Sequence, residues 1–138
     1  VLFLRPDDDG AVERVWPTGI VQGFTFYWNA VQRSCGDRNW KAIDAETIPV
    51  LALRSLAGGS LDAVDESRRE AYRKLLQESG AADWTELNLR YAAASPVVRT
   101  SIGGTANPNH LKRYLEFATD PKPLGADTVR AIEALRDG

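Results

Sequence analysis

Four apolar runs, Val1 to Leu4, Ile20 to Tyr27, Ile48 to Leu53 and Val97 to Ile102, punctuate the chain and read as strands. Between them the apolar positions recur at helical spacing. Asp8 to Trp16 places Val12, Val15 and Trp16 on one face, and Pro17 ends it because proline cannot continue a helix interior. Asp37 to Glu46 is a weaker helix with Trp40 and Ile43 inward. Asp65 to Ser79 sets Tyr72, Leu75, Leu76 and Ser79 against a face of Glu66, Arg69 and Arg73, with Gly80 where a C-terminal cap belongs.

Asp83 followed by Glu86 is a capping-box spacing, so the next helix opens there and runs through Trp84, Leu87, Tyr91 and Ala94 to Ser95-Pro96. Asn107 as N-cap with Pro108 at the first helical position opens another, predicted to bury Leu111, Tyr114, Leu115 and Ala118. A last helix covers Thr128 to Arg136, with Val129, Ile132 and Leu135 inward. Strands alternating with helices imply right-handed crossovers and an α/β fold with a parallel sheet. Periodicity leaves two architectures open, a doubly wound sheet and a piece of a barrel. With no internal repeat, low-complexity tract or linker, residues 1–138 read as a single domain.

Composition narrows the function classes. The chain has 138 residues, 43% of them hydrophobic, enough for a core. Its 17 basic and 19 acidic side chains are interspersed, so no basic stripe forms and nucleic acid is not an expected partner. Cys35 is the only cysteine, which fits a reducing, cytoplasmic setting. No run is long and apolar enough to span a bilayer. The chain contains no methionine and begins directly on the run Val1-Leu2-Phe3-Leu4, which reads as a cut inside a strand.

Ser95-Pro96-Val97-Val98-Arg99-Thr100-Ser101-Ile102-Gly103-Gly104-Thr105-Ala106-Asn107-Pro108-Asn109-His110-Leu111 resembles the seventh strand and phosphate-binding helix of aldo-keto reductases. Glu86 to Tyr91 is similar to the preceding family helix, and Ile48 to Leu61 to the sixth strand and its loop. Val21-Gln22 with Tyr27-Trp28-Asn29 resembles the fifth strand. These blocks stand in family order from about Gly19 to Arg136. The resemblance implies half of a (β/α)8 TIM barrel, from the end of the fourth strand to the C-terminal helix, with the final strand falling at Thr119 to Leu124.

It also implies cofactor-binding residues for NADP(H). Gln22 would hold the nicotinamide carboxamide; a solvent-facing strand end is its other reading. Leu53 stands where the family stacks an aromatic ring, and Arg54 beside it offers a planar cation for the ring or the pyrophosphate. Ser55, Leu56 and Gly59 form the loop after the sixth strand, with Ser55 where the family commonly has proline. Ile102, Gly104 and Thr105 lead into a helix whose N-terminal amides suit an anion. His110, Lys112 and Arg113 lie near the place of the adenosine 2′-phosphate; a solvated helix face is the commoner reading of Lys112 and Arg113, and a surface or capping role that of His110.

The family's proton-donating Tyr and its Lys, Asp and His partners belong to elements earlier than those matched, so no catalytic residue is expected here, nor any metal ligand. The implied parent is an oxidoreductase reducing a small carbonyl substrate, an aldehyde or ketone. The chain by itself is expected to be inactive and to self-associate through open barrel edges. The alternative is a non-catalytic half-barrel module that binds a nucleotide or a protein. An unrelated doubly wound domain is the third reading.

Overall fold

A computed structural model describes residues 1–137. The elements run β1 (Leu2–Phe3), α1 (Ala11–Val15), β2 (Phe24–Tyr27), α2 (Asp37–Glu46), β3 (Val50–Leu53), α3 (Glu66–Glu78), α4 (Trp84–Ala94), β4 (Val98–Ile102), α5 (Pro108–Thr119) and α6 (Ala126–Asp137). Short 3₁₀ turns occupy Trp16–Thr18 and Leu61–Ala63.

Each strand pairs in parallel with the next in the chain, giving the order β1-β2-β3-β4. A doubly wound sheet must reverse its strand order to place helices on both faces. Here nothing reverses, and right-handed crossovers then put the connecting helices on one side. The architecture left open by periodicity is thereby resolved as a segment of a barrel.

Alternation along the strands separates the two faces. Leu4, Phe24, Phe26, Val50 and Ala52 are buried and share one core with Val12, Ile43, Leu87, Tyr91 and Ile132 of the helices. The opposite face carries Phe3, Thr25, Tyr27, Leu51, Leu53 and Ile102, paired in register as Phe3 with Thr25, Thr25 with Leu51, and Tyr27 with Leu53 with Ile102. Phe3 and Ile102 are 43% and 45% exposed, since among the described residues no element covers that side.

The caps follow local chemistry. Asp83 accepts from the Glu86 amide at 2.8 Å, and the Glu86 carboxylate accepts from the Ala82 amide at 3.2 Å, one residue before the usual donor of a capping box. Asn107 accepts from the Asn109 amide at 2.9 Å, with Pro108 next to it. Asp65 caps α3 through the Ser67 amide.

Three expectations fail for tertiary reasons. The second strand starts at Phe24 rather than Ile20, which is 82% exposed. A 3₁₀ turn through Pro17 and a left-handed Gly19 carry the chain there, and Gly23 brings it so close to β3 that a Cβ would lie 2.5 Å from the Pro49 carbonyl. In α5, Leu111 and Leu115 are 55% and 63% exposed and Ala118 is exposed, while Tyr114 and Phe117 are half-buried. The helix packs on α4, and α6 returns to α3 and α4, leaving the leucine stripe uncovered. Thr119 to Leu124 forms no strand. Its backbone is tied to α4 instead, the Leu124 amide donating to the Arg90 carbonyl and the Arg90 guanidinium to the Lys122 carbonyl. Pro121 and Pro123 have no amide hydrogen to give a sheet.

Candidate functional site: a cleft at the carboxyl ends of β3 and β4

In parallel α/β sheets ligands bind beyond the carboxyl ends of the strands, where the connecting loops diverge. A cleft of about 670 Å³ opens there, between the loop after β3 and the turn after β4. Leu53 and Ile102 form its apolar floor, Arg54, Leu56, Gly58 and Gly59 one wall, and Gly103 to Asn107 with His110 the other. Its volume lies within the common range of small-molecule sites.

The first wall turns sharply. Arg54 and Ala57 have φ of 54° and 47°, and Gly58 and Gly59 follow at 83° and 77°. Such backbone costs little only in glycine, so neighbouring groups hold the other two residues in place. The Asn29 amide donates to the Arg54 carbonyl at 2.9 Å, and the Trp84 indole to the Ala57 carbonyl at 3.3 Å. A Cβ on Gly58 would lie 2.7 Å from that of Ala63, so the turn also needs the missing side chain sterically. Ser55 is fully buried; its hydroxyl lies 3.1 Å from the Ala52 carbonyl and its amide donates to the Ile102 carbonyl at 3.4 Å, joining the ends of β3 and β4.

The second wall is the turn from Gly103 into α5. The Thr105 hydroxyl accepts from the Asn107 amide at 3.0 Å and lies 3.3 Å from His110 Nδ1. Among the described residues, no protein acceptor meets the amides of Gly103, Gly104, Thr105 and Ala106. At the helix start, by contrast, the Asn107 side chain and carbonyl already take the amides of Asn109, His110 and Leu111. Donor capacity for an anion therefore resides in the turn more than in the helix end. Tyr114 packs beneath: a Cβ on Gly103 would lie 2.0 Å from its hydroxyl oxygen, which is buried without a hydrogen-bond partner. Burial pushes the Tyr114 phenol above its ordinary range.

Arg54 is the one Arg or Lys lining the cleft. Its guanidinium lies 4.6 Å from the Tyr27 ring centre, over the inner face of the sheet, an arrangement that holds a cation without neutralising it. Arg113 is engaged elsewhere, 3.2 Å from Asp83 and 3.7 Å from Glu116, and lines a neighbouring depression with His110 and Lys112.

Of the residues expected from sequence, the structure brings Leu53, Arg54, Leu56, Gly59, Ile102, Gly104, Thr105 and His110 together around the cleft. Gln22 is not among them. It is exposed and precedes β2, so it lies at the amino end of the sheet, roughly 16 Å along the strand from the Tyr27 end. Ser55 sits behind the wall rather than on it, and Arg113 is held outside by Asp83. Gly58, part of the small-residue loop after the sixth strand, lines the cleft as well; Ala106 and Asn107 as lining and Tyr114 as support were not expected from sequence. Nor was the buried amide Asn29, whose Oδ1 accepts from the Val31 and Gln32 amides while its Nδ2 anchors Arg54. A signal existed for Asn29 alone, an amide directly after an aromatic strand.

No protein-family model and no curated protein matches the chain. Among solved structures it is similar to an aldo-keto reductase from Bacillus halodurans. For the holo form the TM-score is 0.66 at 23% identity, covering 95% of this chain and 47% of that one, and for the apo form it is 0.66 at 23%, covering 95% and 48%. A thermostable aldo-keto reductase in complex with the inhibitor epalrestat gives 0.61 at 18% identity over 81% of this chain and 39% of that one. The chain thus spans about half the length of the reductases it matches. Four consecutive parallel strands with their helices on one face have the fold of half an aldo-keto reductase (β/α)8 barrel.

Proposed function

We propose that the chain supplies the dinucleotide-binding side of an NADP(H)-dependent aldo-keto reductase acting on aldehydes or ketones. The observation that carries this reading is the run Gly103 to Ala106, which lines a cleft bordered by Arg54 and whose four amides meet no protein acceptor among the described residues. Backbone donors beside an unneutralised guanidinium suit a pyrophosphate, and the apolar floor of Leu53 and Ile102 suits a flat ring. The residues present therefore fit the phosphate part of the cofactor. Bound there, the dinucleotide would supply the hydride. The chain's own residues bind and orient it: the amides fix the phosphates, Arg54 balances charge, and Thr105 with His110 holds the turn.

The proton donor of such a reductase is expected on other elements, so the chain alone is expected to bind dinucleotide weakly and to reduce no carbonyl. A reducing cytoplasm is the expected setting, in keeping with the single buried thiol of Cys35. One observation favours the alternative, a non-catalytic half-barrel that binds a nucleotide: the cleft is lined by β3, β4, their loops and His110 in the first turn of α5, all within this chain. Titration with NADPH and NADH, followed through the Trp84 indole that touches the loop at Ala57, separates the readings. Weak saturable binding that falls with salt supports the reductase side, and tight binding by the isolated chain supports the alternative. A lack of binding by either dinucleotide at millimolar concentration overturns both.

A further inference from the structure

Arg54 and Ala57 hold left-handed backbone in the cleft wall without being glycine, with φ of 54° and 47°. Such residues keep that conformation only where their surroundings over-determine it. Two side chains meet the turn directly, the Asn29 amide on the Arg54 carbonyl and the Trp84 indole on the Ala57 carbonyl. They come from different elements, so the shape of the wall depends on how the loop after β2 sits against α4. Asn88 sets that relation. It is fully buried on α4, one turn beyond Trp84 and on the same face of the helix. Its Oδ1 accepts from the amide of Ala30, the residue after Asn29, at 3.1 Å, and its Nδ2 donates to the Trp84 carbonyl at 2.9 Å. We infer that Asn88 is a positioning residue for the cleft, fixing the loop after β2 against the first turn of α4 so that Asn29 and Trp84 hold the turn that puts Arg54 on the wall. The inference takes from the dinucleotide reading only the identity of what the cleft holds.

Two observations separate this role from packing alone. Ala30 is itself fully buried, and side chains meet its backbone on both sides: Asn88 takes its amide, and the Tyr72 hydroxyl of α3 donates to its carbonyl at 2.7 Å. Tyr72 also meets the Trp84 ring edge-on, with 5.6 Å between ring centres. Thus α3 and α4 grip one residue of the loop, next to the residue that grips the wall. The second observation is the chemistry of Asn88. An apolar side chain would fill this place at a lower desolvation cost, whereas a buried amide bonded to two backbone groups fixes one arrangement of two segments. Asn29 in turn carries its own part of the loop, its Oδ1 accepting from the Val31 and Gln32 amides at 2.9 Å, so a shift of Ala30 moves Asn29 and with it the Arg54 carbonyl. Neither Asn88 nor Tyr72 lines the cleft, and both act through its wall.

Amide hydrogen exchange on the full chain tests this without a ligand. The Ala57 and Gly59 amides donate to the Arg54 and Leu56 carbonyls at 2.9 Å and report the wall, while the Phe24 amide donates to the Pro49 carbonyl at 3.0 Å and reports the sheet. In Asn88→Leu, which keeps a similar shape and removes both hydrogen bonds, exchange at Ala57 and Gly59 should accelerate about tenfold more than at Phe24. Asn88→Ser, the milder change, should move the same two amides in the same direction. Val12→Ala, a core deletion on α1 outside this network, should accelerate them no more than Phe24. NADPH titration reads the consequence: the Kd should rise about fivefold in Asn88→Leu and keep the parental value in Val12→Ala. Wall amides that accelerate no more than Phe24 in the Asn88 variants, or equal NADPH affinity in the parent and Asn88→Leu, would overturn the inference. So would failure of both Asn88 variants to fold, since the amide would then serve the whole core. A parent that binds no NADPH overturns the dinucleotide reading instead, and the exchange comparison alone then decides the role of Asn88.

Discussion

Gly103→Ala probes the cleft where its support is tightest. A Cβ built on Gly103 lies 2.0 Å from the Tyr114 hydroxyl oxygen, 2.7 Å from Cζ and 2.8 Å from Cε2. Van der Waals contact between such atoms is about 3.5 Å, so the overlap with the hydroxyl exceeds an ångström. The backbone itself is ordinary at this glycine, and the cost is therefore steric. Either the turn lifts or Tyr114 leaves its place against α4. Overpacking of this kind costs about 1–3 kcal/mol, and the clash involves ring carbon as well as oxygen. Tyr114→Phe should accordingly rescue little of it. Taken alone, Tyr114→Phe is expected to be neutral or slightly stabilising, because it removes a buried hydroxyl that has no partner. Tyr114→Ala should remove the clash, so the two substitutions should couple by about 1–2 kcal/mol in a double-mutant cycle. Urea unfolding of the four proteins measures the cycle. His110, the one histidine of the chain, lies 3.3 Å from the Thr105 hydroxyl and gives an NMR resonance that should shift in Gly103→Ala. A Gly103→Ala protein within about 0.5 kcal/mol of the parent and additive with Tyr114→Ala would refute the packing argument, since surface changes fall in that range.

Two further outcomes follow from the buried polar groups. Burial pushes the Cys35 thiol from its usual 9.0 up to about 12, against a smaller opposing pull from Arg33. The unfolded chain then loses this proton first, so the contribution to stability is complete below pH 9 and is lost as pH rises toward 12, by up to about 4 kcal/mol. Cys35→Ala should flatten the fall in urea midpoint just above pH 9, and an unchanged slope there would refute the assignment; Tyr72, Tyr91 and Tyr114, also raised by burial, act at higher pH. Asn29→Ala deletes the acceptor for the Val31 and Gln32 amides and the donor to the Arg54 carbonyl, and should cost about 1–3 kcal/mol. Hydrogen exchange should rise in residues 54–59 of that variant, and unchanged protection there would show that Asn29 does not hold the cleft wall.

The elements were legible in the sequence because their signals are local. Asp83 with Glu86 and Asn107 with Pro108 announce helix starts through side chains that reach amides two to four residues away, and the helices begin there. β3 and β4 lie inside their apolar runs within two residues, and the turn at Gly103 to Thr105 was visible as small residues before a capped helix. Much of the cleft lining was readable for the same reason, as both walls directly follow strands. What failed depends on neighbours distant in the chain. Gln22 looked like part of a strand until the close approach of Gly23 to Pro49 delayed β2 to Phe24. Arg113 looked free until Asp83, on the loop before α4, came within 3.2 Å. Leu111 and Leu115 have the spacing of buried positions, yet burial needs a covering element, and α6 packs on α3 and α4 instead. Periodicity left barrel segment and doubly wound sheet equal, since both alternate strand with helix. Only the spatial order of the strands, unbroken from β1 to β4, distinguishes them, and that order is a relation between elements which no local run of residues encodes.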